Sequence, residues 1–444
     1  MSTLRVSNIE AKADASSPTI DEKVKVTNSQ GRVLMQIDGK NSGITTIGIN
    51  TTSPVITVDA NQNVTFNSNI SVSTATITNI NTTRISGVTT AGITTAYITS
   101  INEGPLSGFR NRLINGDCRI DQRNNGTTSV TANGYPVDRW IIKYVGSGVL
   151  TGIQTTDVPT GQGFTNAVRL TSTARSTLSS GDFYQLTHYM EGNTTSDLNF
   201  GSSAAKTVTL SFWVKGSRTG TYDVQLANTG TRTYTRQYTI SSANTWQKVV
   251  LTYPGCPDGT WLTTNGVGFS IRFGFEYGST YAGGTTDTWL SRTNFETSFP
   301  SMTNTFTTNS NSTWFITGIQ LEQGNIGTDF ERRTYAQELM LCQRYYWQGT
   351  LFTSGYGDTT NLYSATVYLP VVMRSQPAVD NSADTSGIVA NAGLYNLSAS
   401  SASIPNNWWN GHNGLVNFTT TTQITRWTTA YGRINVFKAS AELL

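Results

Sequence analysis

The run "GVGFSIRFGFEYG", residues 266–278, fixes more of this chain's structure than any other stretch. Val267, Phe269, Ile271, Phe273, Phe275 and Tyr277 fall on every second position, and Gly268, Ser270, Arg272, Gly274 and Glu276 lie between them. A period of two is that of a β-strand, and alternation predicts one buried face and one wet face in an antiparallel sheet. The same pattern returns in Val208, Leu210, Phe212 and Val214, then in Tyr222, Val224 and Leu226 after a glycine-containing turn. Strands punctuated by turn residues from about 110 to 323 predict a jelly-roll-like β-sandwich, and the chain as a whole is expected to be mainly β.

One short helix interrupts this pattern. Thr334 supplies a cap, Gln337 completes a capping box and Glu338 suits the positive end. Tyr335, Leu339, Cys342 and Tyr346 then step 4, 3, 4, which predicts a face resting on apolar residues. Short strands resume beyond it, so the helix marks a junction. Near the front, "KVKVTNSQGRVLMQIDG" predicts a strand pair around the turn "NSQG". Val72, Ile77, Ile80, Ile85, Val88, Ile93, Ile98 and Ile101 then recur at steps of 5, 3, 5, 3, 5, 5, 3. One chain cannot bury such a stripe alone. Several identical strands wound about a common axis can, which predicts a trimeric β stalk.

With 444 residues, two or three domains are expected. The expected organisation is an attachment region at 1–60, an intertwined stalk at 61–106, the sandwich at 107–330, the connecting helix at 331–348 and a small β-sandwich tip at 349–444. Lys+Arg number 30 against 27 Asp+Glu, with no basic cluster, so neither nucleic acid nor an anionic membrane is an expected partner. The start lacks the pattern of a signal peptide, and no run of 18 apolar residues predicts a membrane span. Cys118, Cys256 and Cys342 are expected to be free buried thiols. Only 13% of residues are charged, about half the usual share, and Thr, Ser, Asn and Gly fill the gap as in extracellular β-structures and fibres. Such a composition without an export signal fits a virion component made in the host cytoplasm and released by lysis.

Several stretches carry a resemblance. "NRLINGDCRIDQRNNG" (111–126) with "YPVDRW" (135–140) resembles the opening of a module common in tailed-phage fibres. "GIQLEQGNIGTDFERRTYAQELMLCQRYY" (318–346) is similar to its end. "LPVVMRSQPAV" (369–379) and the terminal "ASAELL" resemble the tip domain that often follows, and "IGINTTSP" (47–54) a motif of fibre stalks. The resemblance implies a homotrimeric tail fibre or receptor-binding protein, joined to the tail or baseplate by its N-terminus. It implies that the C-terminal region faces the host surface, and it carries no receptor-contact residues with it.

Catalysis finds little support in the residues. Glycoside hydrolysis needs two carboxylates across a cleft, and the last 99 residues offer Asp358, Asp380, Asp384 and Glu442. "DNSADTSG" (380–387) suits a turn better than a calcium loop, lacking the glycine at its sixth position. Two histidines and three scattered cysteines form no metal pattern. No cofactor and no enzymatic activity are expected. Residues 346–444 hold thirteen aromatics beside four acids and four bases, a composition suited to neutral glycans, although most such rings serve a core. Two adjacent tryptophans in a strand or loop cannot both point inward. Trp408 and Trp409, with His412, Trp427 and Tyr356, are therefore the expected glycan contacts. A polysaccharide-depolymerising tailspike and a purely structural connector are the alternatives.

Overall fold

The computed structural model describes residues 109–443 apart from 174–176, 292–298, 360–361, 381–387, 392–393, 398, 405–412 and 421–428. N-terminal to these it describes five strands between 23 and 66. The protein is mainly β and divides into two compact units, Met1–Thr95 and Ala96–Leu444. In the first unit β1 (Lys23–Thr27), β2 (Val33–Asp38), β3 (Ile44–Ile47), β4 (Ile56–Val58) and β5 (Val64–Phe66) form an antiparallel meander in chain order. The expected strand pair is its first hairpin, with Val24 opposite Ile37. The Val72–Ile101 repeat lies outside the described residues.

The second unit opens with a sandwich of β6 (Trp140–Val145), β7 (Leu150–Thr155), β8 (Ala167–Ser172), β9 (Phe183–Glu191), β10 (Val208–Gly216), β11 (Gly220–Ala227), β12 (Arg232–Ile240), β13 (Gln247–Tyr253), β14 (Val267–Tyr277), β15 (Trp289–Ser291) and β16 (Ser312–Gln323), with a single turn of helix, α1 (Gly192–Thr195), after β9. One sheet runs β13-β10-β16-β8-β7 and the other β15-β12-β11-β14-β9-β6, all antiparallel. Neighbours that are not consecutive in the chain give the crossed connections of a jelly roll. The alternating residues meet between the sheets: Leu210, Phe212, Val214, Tyr222, Val224, Leu226, Ile271 and Phe273 are fully buried. At the centre Phe212 and Phe273 pack edge to face at 5.1 Å, and Phe275 meets Trp314 at 5.0 Å. Truncating one such ring to alanine costs about 3–5 kcal/mol.

β14 departs from the expected alternation at its ends. Register shifts at Val267/Phe269 and Gly274/Glu276 leave Val267 packed with Ile141 and Tyr189, and Tyr277 on Phe299, outside the inter-sheet core. Its outer face is not the expected wet one. Ser270 and Arg272 are 0% exposed. At one end of the sheet Tyr345 and Leu443 pack on Ile141 and Tyr189. At the other, Phe299 stacks on Tyr277 with centroids 3.5 Å apart, and Gln237 Nε2 donates to Ser301 O. The face is thus covered by the protein's own later segments, and alternation cannot distinguish solvent from a polar lid.

The helix α2 (Tyr335–Gln343) has the expected capping box between Thr334 and Gln337. Its inward face is the expected one in part: Cys342 and Tyr346 are buried and Leu339 is half-buried, but Tyr335 is 58% exposed and Glu338 is buried instead. Glu338 turns inward because the Asn115 N–H donates to its Oε1 and Arg333 sits beside it. Other polar residues of the two flanking stretches work similarly. Asn111 Oδ1 accepts from the Leu113 and Leu321 N–H groups, and its own N–H donates to Glu331. Thr328 donates through both N–H and hydroxyl to Glu322. These residues join the start of the module to its end.

Beyond α2 come β17 (Tyr346–Thr359), β18 (Leu362–Tyr368), β19 (Ala378–Asp380), β20 (Ile388–Asn391), β21 (Leu394–Leu397), β22 (Ala399–Ser403), β23 (Asn413–Thr420) and β24 (Thr429–Ser440). They form a sheet ordered β19-β24-β17-β18-β23-β22 and a separate β20-β21 pair. Leu351, Tyr363, Val367, Val416, Phe418 and Phe437 make its own core.

Candidate functional site

An open cleft of about 280 Å³ lies on the outer face of the five-stranded sheet. Its floor comes from β10, where Phe212 points into the core and Ser211 and Trp213 point out. Trp213 stands opposite Lys248 on β13 and Thr317 on β16. A register shift between Ser211 and Trp213 places Gly318 beside them with φ +62°. A Cβ there would come within 2.5 Å of the Phe164 ring. Only glycine therefore allows both the backbone twist and the close seat of Phe164.

The walls are two loops. Gln162 and Phe164 come from the β7–β8 connection, and Asp329, Phe330 and Arg332 from the segment between β16 and α2. Phe164 and Phe330 meet edge to face at 5.3 Å. Arg332 lies over Phe164 at 4.7 Å and donates to Gly163 O at 2.8 Å and Gln162 O at 2.6 Å. Its charge is thus committed to holding the loop. Lys248 and Asp329 are exposed and opposite in sign, and neither has an ion-pair partner among the described residues. A half-buried indole flanked by an ammonium, a carboxylate, an amide and a hydroxyl can hold an apolar ring face and bond groups around its edge. Among the described residues, Asp329 is the only carboxylate lining this cleft.

The outer face of the six-stranded sheet is also polar, but closed. Gln225 on β11 accepts from Arg272 and donates to Thr235. Two residues earlier, Asp223 is fully buried and accepts from Gln237 at 2.9 Å. Burial pushes the Asp223 carboxyl up to about 7, with the Gln237 amide only partly offsetting it.

Of the residues expected to contact glycan, Trp408, Trp409, His412 and Trp427 lie outside the described residues. Tyr356 is placed on β17 opposite Ser364 and Thr429 and is 37% exposed. The cleft residues escaped the sequence reading because they come from five separated segments. The available signal was Trp213 itself, a large ring on the outward side of an alternating strand.

No family model matches the chain, and no curated protein does. Among solved structures it is similar to the enzymatically active domain of tailspike protein 4 of bacteriophage CBA120, at 14% identity and a TM-score of 0.27. That match covers 48% of this chain and spans only 21% of the tailspike chain. TmCBM61, solved in complex with β-1,4-galactotriose, is similar at 10% identity over 48% of this chain and 99% of its own, with a TM-score of 0.24. The family 11 carbohydrate-binding module of Lic26A-Cel5E from Clostridium thermocellum matches at 10% identity over 45% of this chain and 97% of its own, with a TM-score of 0.25.

Proposed function

We propose that the chain is a subunit of a phage tail fibre, an adhesin that binds a glycan on the host surface. The observation that carries this reading is the Trp213 cleft, which offers an aromatic platform and hydrogen-bonding groups without a concentration of charge. The resemblance of both ends of the module, and of the tip, to phage fibre sequences supports the virion setting. On this reading residues 1–60 dock on the tail or baseplate, three copies assemble, and the C-terminal region faces the host. The fibre belongs to the virion and is made in the host cytoplasm, in keeping with three free, buried thiols. The activity proposed is binding without hydrolysis, which a single carboxylate lining the cleft among the described residues supports.

The test is adsorption of the purified full chain to host cells before and after periodate, which destroys vicinal-diol sugars. Binding should fall at least tenfold after treatment, and Trp213→Ala should reproduce the loss on untreated cells. Unchanged adsorption to periodate-treated cells would overturn the glycan assignment. A normal Trp213→Ala beside a periodate-sensitive wild type would move the site elsewhere, to the tip aromatics first.

A further inference from the structure

A second, larger concavity lies beside α2 and has a different chemistry. It measures about 600 Å³, and Phe109, Met340, Leu341, Val371 and Val372 supply its apolar lining. Phe109 is 49% exposed, Met340 56% and Val372 55%. Large apolar side chains left this open and contiguous mark a docking surface.

The charges around the groove already have partners. Arg344 grips Glu191, Arg333 contacts Glu338 and donates to Leu113 O, and Arg332 is held by the Gly163 and Gln162 carbonyls. Glu331 accepts from the Arg110 and Asn111 N–H groups. An anionic ligand would have to break these contacts. An apolar protein surface would not.

We propose that this groove is where one copy of the chain packs on another. The proposal rests on the assembly of several copies, and what identifies the occupant is the chain leading into the groove. Phe109 follows Ile101, the last residue of the Ile/Val repeat, by eight positions. Eight residues span at most about 29 Å in any conformation. Copies joined through that repeat would hold their grooves within this tether, where the effective concentration of a partner surface is of millimolar order. A groove of modest area then suffices, because association is already intramolecular. In a ring of copies the contact is heterologous, so the groove of one meets a different surface of the next.

The test is hydroxyl-radical labelling of Met340 in the full-length protein, read beside its mass by light scattering. The expected result is an oligomer in which Met340 labels at least fivefold more slowly than in the Val372→Glu variant. Val372 is exposed, so this change leaves the fold of the single chain intact, and an unchanged far-UV spectrum checks that. Leu178→Glu, at an exposed position away from the groove, should leave Met340 protected. An oligomer whose Met340 labels as fast as in Val372→Glu overturns the groove as an interface while sparing the assembly. Protection of Met340 in a chain of monomer mass assigns the cover to the chain's own preceding residues and overturns the proposal. A monomer with reactive Met340 overturns the assembly and the groove together.

Discussion

Arg344 holds both carboxylate oxygens of Glu191, at 2.8 and 2.9 Å, across 153 positions of sequence. Arg344 is the residue directly after α2, and Glu191 closes β9 with its side chain 1% exposed. The pair pins the helix end to the six-stranded sheet. Burial alone would raise the Glu191 carboxyl, but the Arg344 fork more than offsets it and the group lies below its ordinary value.

Glu191→Gln should therefore lower stability at pH 7 by about 1–3 kcal/mol. A depressed folded-state value contributes stability that is present above the unfolded value of about 4.5 and is lost as pH falls through the folded one. Thermal unfolding of both proteins between pH 3 and 7 should show the two melting temperatures converging at the acid end. A constant gap would mean that the cost is steric.

Asp223 should behave in the opposite sense. Its carboxyl is raised, so the folded state holds its proton tightly, and the associated stability is lost as pH rises from about 4 through about 7. Asp223→Asn keeps an acceptor for Gln237 and removes the buried charge. It should be nearly neutral at pH 4 and stabilising by up to a few kcal/mol at pH 8, read from denaturant midpoints.

Gly318→Ala should be disruptive despite its single added methyl. The φ of +62° disfavours any side chain, and the new Cβ would strike Phe164. A loss of about 1–3 kcal/mol is expected, together with displacement of the β7–β8 loop and weaker adsorption. Retained stability with normal adsorption would show that β16 can relax around the bulge.

Binding of a neutral glycan in the Trp213 cleft releases no counterions. Adsorption should change less than about threefold between 50 and 500 mM salt. Lys248→Gln should have a small effect beside that of Trp213→Ala. A steep salt dependence, abolished by Lys248→Gln, would indicate an acidic sugar instead.

The residues between the sheets could be seen in the sequence because alternation marks the side facing the core, as Val208 to Val214 and Phe269 to Phe275 show; at Val267 and Tyr277 a register shift breaks the pattern. The outer half could not. Ser270 and Arg272 look like solvent-facing residues, and only the placement of Tyr345, Leu443 and Phe299 over the sheet reveals their burial. In the helix, the capping box could be read from Thr334 and Gln337 because it is local. The inward turn of Glu338 depends on an N–H 223 positions away, at Asn115. The cleft is non-local as well, since Trp213, Lys248, Phe164 and Asp329 become neighbours only through sheet order and one β-bulge.

The pairing of Tyr346 with Ser440 brings the beginning of β17 and the end of β24 to the same point. A block inserted through two neighbouring strand ends can be exchanged for another without re-routing the scaffold. The constraint on such an exchange lies just past the joint. Glu442 is clasped by Arg123 and Arg139, and Leu443 rests against Tyr345 and Ile141. A replacement for residues 347–439 that returned those two residues to the sandwich would inherit its seating, and that block could vary while the sandwich stayed constant.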